Sequence, residues 1–216
     1  MRTIRIGQNE LVVSNIYCVA TNYVAHAVEM GTKVSESPIF FMKPTTAIVP
    51  PGQPIVLPDW SKNVHHEVEV VVAIGKDGVD VRREDALSYI AGYAIGLDMT
   101  ARDVQAELKN AGRPWALAKG YRGSAVLSEF IPAERIADPA SIDLSLEING
   151  QIRQQGNTRH LVFGIAQIIA YVSQRFGLQA GDLIYTGTPE GVGQVQHGDK
   201  LVAKLADLIV DNRQVV

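Results

Sequence analysis

The stretch VHHEVEVVVAI, Val64 to Ile74, constrains the fold of this chain more than any other. Its β-branched run reads as a strand, and side chains along a strand alternate between faces. His65, Glu67, Glu69, Val71 and Ala73 therefore share one face, and Val64, His66, Val68, Val70 and Val72 share the other. The run from Val70 to Ile74 has no polar alternation, which indicates a strand covered on both sides. Positions two apart on a strand lie roughly 6.5–7 Å from one another, so the two carboxylates can converge. Two desolvated carboxylates repel, and without a cation they escape by protonation. A hydrated glutamate face is the plainer alternative.

The chain has 216 residues, 46% of them hydrophobic and 20% charged, enough for a substantial core. A net charge of −3 offers no general field for nucleic acid. The one cysteine, Cys18, excludes an internal disulfide framework and lies in the apolar run IYCVA as a buried hydrophobe. The N-terminus lacks an apolar signal core, and no apolar run reaches membrane-spanning length. A soluble, cytoplasmic protein with no nucleic-acid or membrane partner is expected.

Local patterns predict a strand near Ile16–Ala20, then a short helix in TNYVAHAVEMG with Asn22 as its N-cap and Gly31 just past its end. Four prolines between Val49 and Pro58 bar that segment from the centre of a sheet. Apolar spacing at Ala86, Leu87, Ile90 and Ala91 predicts a helix over 84–91. GYAIGLDM reads as a buried strand ending at Asp98. Thr100 and Asp103 have capping-box spacing and would open a helix running to Lys109, closed by Gly112 and Pro114. SIDLSLEINGQIRQQG alternates around Asn149-Gly150, a strong hairpin signal. Ile165, Ile168, Ile169 and Val172 recur at helical spacing up to Gly177. Many short strands with few helices define an α+β fold dominated by β.

Asp98 joins Glu67 and Glu69 as a third candidate carboxylate. An all-oxygen set without Cys or clustered His suits Mg²⁺ or Mn²⁺ rather than zinc or copper. A divalent ion would leave one negative charge, which a nearby lysine could offset. His26 and Glu29 are neighbours at helical i,i+3 spacing, and a carboxylate beside an imidazole orients a general base; an ordinary surface pair has the same spacing. The glycine-rich TGTPEGVG after a strand can present N–H groups to an anion, but it lacks the ending of a P-loop.

Together, HxExE at His65, Glu67 and Glu69, then GLDMTARDVQ, PWALAKGY and GDLIYTGTPEGVG resemble the fumarylacetoacetate hydrolase family along nearly the whole chain. The resemblance implies a mixed β-sandwich roll over residues 1–216 as one catalytic domain, a homodimer, and a mobile lid over about residues 20–37. It implies Glu67, Glu69 and Asp98 as ligands of Mg²⁺ or Mn²⁺. It further implies Lys119 and Gln105 as active-site residues, His26–Glu29 as the base dyad on the lid, and Thr188 with Gly187 as substrate contacts. Many such proteins carry arginine where this chain has Thr21, which bears on a second acidic group in the substrate. The implied activity is metal-dependent hydrolysis of acylpyruvates through a pyruvate enolate. Oxaloacetate decarboxylation or tautomerisation and hydroxymuconate-type isomerisation are the alternatives, and non-catalytic binding of metal and carboxylate is the alternative of another class.

Overall fold

The computed structural model describes residues 1–216. It is mainly β, with helices α1 (Val24–Glu29), α2 (Arg102–Asn110), α3 (Ala116–Lys119) and α4 (Ile165–Arg175). A mixed sheet of eight strands runs in the order Ile39–Lys43, Ile16–Ala20, Leu183–Tyr185, Val68–Ile74, Ile90–Asp98, Ala125–Leu127, Ile48–Val49, with Ile131–Pro132 also paired to Ile90–Asp98. Two of its pairings are parallel, Leu183–Tyr185 with Ile16–Ala20 and Ala125–Leu127 with Ile48–Val49. An antiparallel sheet of four strands (Gln151–Asn157, Asp143–Ile148, Lys200–Leu205, Ile209–Gln214) stacks on one side of it.

The central strand Val68–Ile74 is buried at every position. Val68, Val70 and Val72 point into the main core with Ile95, Leu97, Leu144, Leu146 and the α4 residues Ile168 and Ile169. Val71 and Ala73 point the other way, into a second core with Cys18, Ala94, Leu183 and Tyr185. Each fully buried valine contributes on the order of 1.5–3 kcal/mol. Burial on both faces is what the unbroken VVVAI run implied. A close approach to this layer is at Gly96, where a Cβ would meet Val71 and Tyr185 side chains at 2.7 and 2.8 Å.

The stretch Val64–Ile74 is not one continuous strand. It breaks at Glu67, and Val64–His66 pairs instead with Thr100–Ala101 and Gly193–Gln194 in a small separate sheet. At the break the Glu67 carbonyl accepts from Asp98 N (2.8 Å), whereas Val68 N donates to the Gln154 side chain (3.0 Å). A side-chain acceptor thus replaces a rung of the ladder. The helix expected over 84–91 is a single 3₁₀ turn, Ala86–Tyr89, because Ile90 and Ala91 are drawn into the nine-residue strand beside Val68–Ile74.

Two capping assignments also fail. Tyr23, not Asn22, holds the N-cap position of α1, without a side-chain cap. Asn22 is fully buried and donates to Phe163 O (2.9 Å) and Thr186 O (2.8 Å) while accepting from Phe163 N (2.8 Å). Thr100 lies in a strand and α2 opens at Arg102; Asp103 accepts from Ser61 Oγ (2.7 Å) and Lys62 N (2.9 Å). Other local signals hold. Asn149 and Gly150 turn the hairpin with φ of 52° and 78°, and Gly31, Gly112 and Gly177 follow their helices at positive φ. No helix is long and apolar enough to cross a membrane.

Candidate metal and active centre

Glu69 and Asp98 come from adjacent strands of the large sheet, and Glu67 sits at the break just before the first of them. Their ligand oxygens lie within 4.8 Å of one another, and all three residues are 5% exposed or less. The convergence expected from strand alternation therefore survives the break.

Three cations surround them. Lys119 Nζ, at the end of α3, donates to Glu67 Oε2 and Asp98 Oδ2, each at 2.6 Å. Arg102, the first residue of α2, donates to Glu67 Oε1 (2.5 Å) and Gln105 Oε1 (2.6 Å). Lys43 Nζ lies 2.7 Å from Asp98 Oδ1 and donates to Ser124 Oγ (3.1 Å) and the Lys119 carbonyl. The Lys43 approach to Oδ1 is a charge contact without hydrogen-bond alignment, so that buried oxygen has no donor.

The cations are shared unequally. Burial pushes the Glu67 carboxyl up, but Lys119, Arg102 and His26 outweigh it and hold it below the usual carboxylate range. Burial also raises Glu69, and the charges of Asp98 and Glu67 add to the rise. Its one close donor is the Gly187 amide, 2.6 Å from Oε2. Burial favours loss of the Lys119 proton, yet Asp98 and Glu67 override it and raise that group above the ordinary lysine value. A dry carboxylate with no cation, beside an aspartate oxygen with no donor, matches the donor set of a hard divalent ion. The residues present fit Mg²⁺ or Mn²⁺.

The centre opens into a cavity of about 200 Å³. His26, Gln105, Lys119 and Thr188 line it together with Glu67 and Glu69. His26 Nδ1 is 3.2 Å from Glu29 Oε2, and Glu29 Oε1 accepts from Gly191 N (3.0 Å), which ties α1 to the glycine-rich loop. The Thr188 hydroxyl donates to Val68 O (2.8 Å) and accepts from Gln154 Nε2 (2.8 Å). The Gly187 amide serves Glu69 rather than the open cavity. Phe41 and Trp115 form an apolar wall, with Lys119 Nζ 5.0 Å from the Phe41 ring centre.

Three contributors escaped the sequence reading. Lys43 ends the edge strand IFFMK, where a lysine ordinarily protects a sheet edge. Arg102 follows Asp98 by four residues, and its place beside the acidic pair was a signal that could have been used. Gln154 gave none: it is one of two buried residues of a largely exposed strand, and its amide joins Val68 N, His66 Nδ1, Thr188 Oγ1 and Pro189 O.

Residues 15–216 match the fumarylacetoacetate (FAA) hydrolase C-terminal family, and the chain belongs to that family. The chain is 46% identical to the mitochondrial oxaloacetate tautomerase FAHD1 of Mus musculus over 195 residues, 90% of this chain and 88% of that protein. It is 47% identical to the oxaloacetate tautomerase YcgM of Escherichia coli over 190 residues, covering 88% of this chain and 87% of that protein. Its fold superposes with a TM-score of 0.95 on the fumarylpyruvate hydrolase of Pseudomonas aeruginosa, solved with Mn²⁺ and pyruvate. That pair is 37% identical, with 100% of this chain and 95% of the other covered.

Proposed function

We propose that the chain is an Mg²⁺- or Mn²⁺-dependent enzyme that carries 2-oxo acids through their enolates, and that its reaction is keto–enol tautomerisation of oxaloacetate. The observation that carries this reading is a buried carboxylate triad whose Glu67 and Glu69 line the same cavity as His26 of the histidine–carboxylate dyad. The 46–47% identity to tautomerases supports this reaction over hydrolysis. A purely metal- and carboxylate-binding protein would have no use for the dyad.

Glu67, Glu69 and Asp98 would hold the metal, which supplies Lewis-acid stabilisation of negative charge on the substrate's carboxylate and 2-oxo oxygens. With Nδ1–H donating to Glu29, the Nε2 lone pair of His26 remains to accept a proton. His26 takes the proton from C3 and delivers it to the C2 oxygen, giving the enol; the reverse transfer restores the ketone. Lys119 places fixed positive charge where the enolate forms. Gln105, oriented by Arg102, and Thr188 position the substrate. Three cations already balance the three carboxylates, so a divalent ion makes the cluster net positive and a dianionic substrate restores balance. Metal and substrate binding are therefore mutually reinforcing.

Hydrolysis of acylpyruvates is the second reading, supported by the likeness to the fumarylpyruvate hydrolase. There His26 would take a proton from water as it adds to the distal carbonyl, and the C–C bond would break with pyruvate leaving as its enolate. The test is side-by-side turnover of enol-oxaloacetate and acetylpyruvate with Mg²⁺, with Mn²⁺ and after EDTA treatment. Turnover of neither overturns the proposal; acetylpyruvate cleavage without tautomerisation moves it to the second reading. The chain acts as a homodimer in this proposal, and light scattering that gives 23.5 kDa at micromolar concentration would refute that part.

A further inference from the structure

One cation of the cavity is balanced by no carboxylate. Arg102, Gln105, Ala106 and Lys109 follow i, i+3, i+4, i+7 spacing, so they share one face of α2, and all four line the cavity. Burial changes along that face. Arg102 and Gln105 are half-buried, whereas Ala106 and Lys109 are exposed, which places the start of α2 at the floor and its end at the mouth. At 1.5 Å per residue, Lys109 stands about 10 Å beyond Arg102 along the axis. Its flexible stem can bring the ammonium back by roughly 6 Å.

Arg102 and Lys119 are committed to Glu67 and Asp98. The Lys109 ammonium makes no hydrogen bond and no ion pair, although its carbonyl accepts from Gly112 N (3.1 Å). The carboxylates that line the cavity, Glu67 and Glu69, are both at the floor. Along the cavity the charge thus runs from a metal-binding floor, past the apolar Met30, Phe41 and Trp115, to a free ammonium at the mouth. A ligand with one carboxylate at the floor and a second a few ångströms outward matches that profile.

We propose that Lys109 receives the carboxylate of the substrate remote from the metal site, so that the cavity selects 2-oxo dicarboxylates over 2-oxo monocarboxylates. This rests on the reading of the cavity as a 2-oxo acid site. Lys109 is a specificity residue that touches no reacting atom. Because its ammonium is exposed, the preference it confers weakens as ionic strength rises.

The test compares kcat/KM for oxaloacetate and for its 4-ethyl ester, which keeps the C3 proton and 2-oxo group but lacks the distal charge. In Lys109→Ala the oxaloacetate-to-ester ratio falls by on the order of tenfold, through KM. Lys109→Arg restores it, and added salt shrinks the wild-type ratio. An unchanged ratio overturns the proposal. So does an equal loss on both substrates with a lowered melting temperature, since that marks a role at the helix C-terminus alone. If the wild type turns over neither compound, the tautomerase reading has failed and calorimetry on the Mn²⁺-loaded protein decides Lys109 separately. The proposal then requires Lys109→Ala to weaken 2-oxoglutarate binding about tenfold while 2-oxobutyrate binding changes less; equal changes overturn it.

Discussion

At the floor of the cavity Glu67, Glu69, Asp98, Lys43 and Lys119 are each 5% exposed or less, whereas at the rim the Glu29 side chain is 32% exposed and Lys109 stands in solvent. The floor is held by strands packed on both faces and by α3. The rim is held by α1, six residues long, and by the outer end of α2. Charges at the floor interact with little screening, so each must be matched by a partner or an ion. Charges at the rim are screened and free to change partners. In the proposed function, stabilisation of an enolate, common to every candidate reaction, belongs to the floor. In the proposed reaction the dyad on α1 sets which proton moves, and the rim sets which substrate enters.

The largest effect expected from this division is loss of the floor's ion. Glu69→Gln or Asp98→Asn should lower Mn²⁺ affinity and depress tautomerisation, decarboxylation and acylpyruvate cleavage together, by on the order of 10³-fold or more. The metal-free Glu69→Gln protein should be no less stable than the metal-free wild type, because a neutral amide removes a carboxylate that has no cation partner. Titration calorimetry with Mn²⁺ and urea melts in EDTA measure the two effects. Full turnover of the EDTA-treated wild type would remove the metal from the reaction.

A substitution on α1, at the buried end of its dyad, should instead separate the reactions. His26→Ala should reduce tautomerisation and acylpyruvate hydrolysis by about 10²–10⁴-fold, the usual scale for a lost general base. Oxaloacetate decarboxylation should fall much less, since CO₂ leaves without a proton being abstracted. Lys119→Ala should depress all three, because each forms an enolate. Comparison of kcat/KM across the three reactions checks this. Equal losses in His26→Ala would make the dyad a closing element rather than a base.

The rim should also be the mobile part. Residues 22–37 should exchange amide hydrogen quickly in the free protein and slow on addition of oxalate with Mg²⁺, as a segment that opens for substrate must. Unchanged exchange would argue that α1 is fixed over the site.

The same division explains what was legible in the sequence. Glu67, Glu69 and Asp98 were readable because strand periodicity and an apolar run announce a buried acidic face, and periodicity survives a break in the ladder. Lys119 and Gln105 were reached through the family resemblance; no local pattern would have singled them out. Asn22 and Gln154 were misread or missed because a buried carboxamide looks like a turn or surface residue until its distant partners are known. Phe163 and Thr186, which Asn22 joins, lie more than 140 positions along the chain. Ile90 and Ala91 were assigned to a helix because short-range spacing cannot report the strand that will pair with them.

The smallest effect tests how dry the floor is. His65, next to the break at Glu67, has Nε2 2.9 Å from Asn63 Oδ1, while its Nδ1 is buried with no partner. Protonation of Nδ1 would bury an N–H without an acceptor. Burial, followed by the charge of Arg102, lowers this group to about 4. Burial also lowers His66, although its bond to Gln154 opposes the shift. An unfolded histidine takes up its proton near pH 6.5, so the unfolded chain gains protons first as the pH drops. The stability that neutral His65 provides is therefore complete above about pH 6.5, declines as the pH falls toward 4, and changes no further below that value. Urea midpoints of the metal-free protein between pH 7.5 and 4 should fall, and His65→Asn should flatten the slope by about one proton's worth. If the variant keeps the wild-type slope, His65 is hydrated in solution, and the dry floor begins at Glu67 rather than before it.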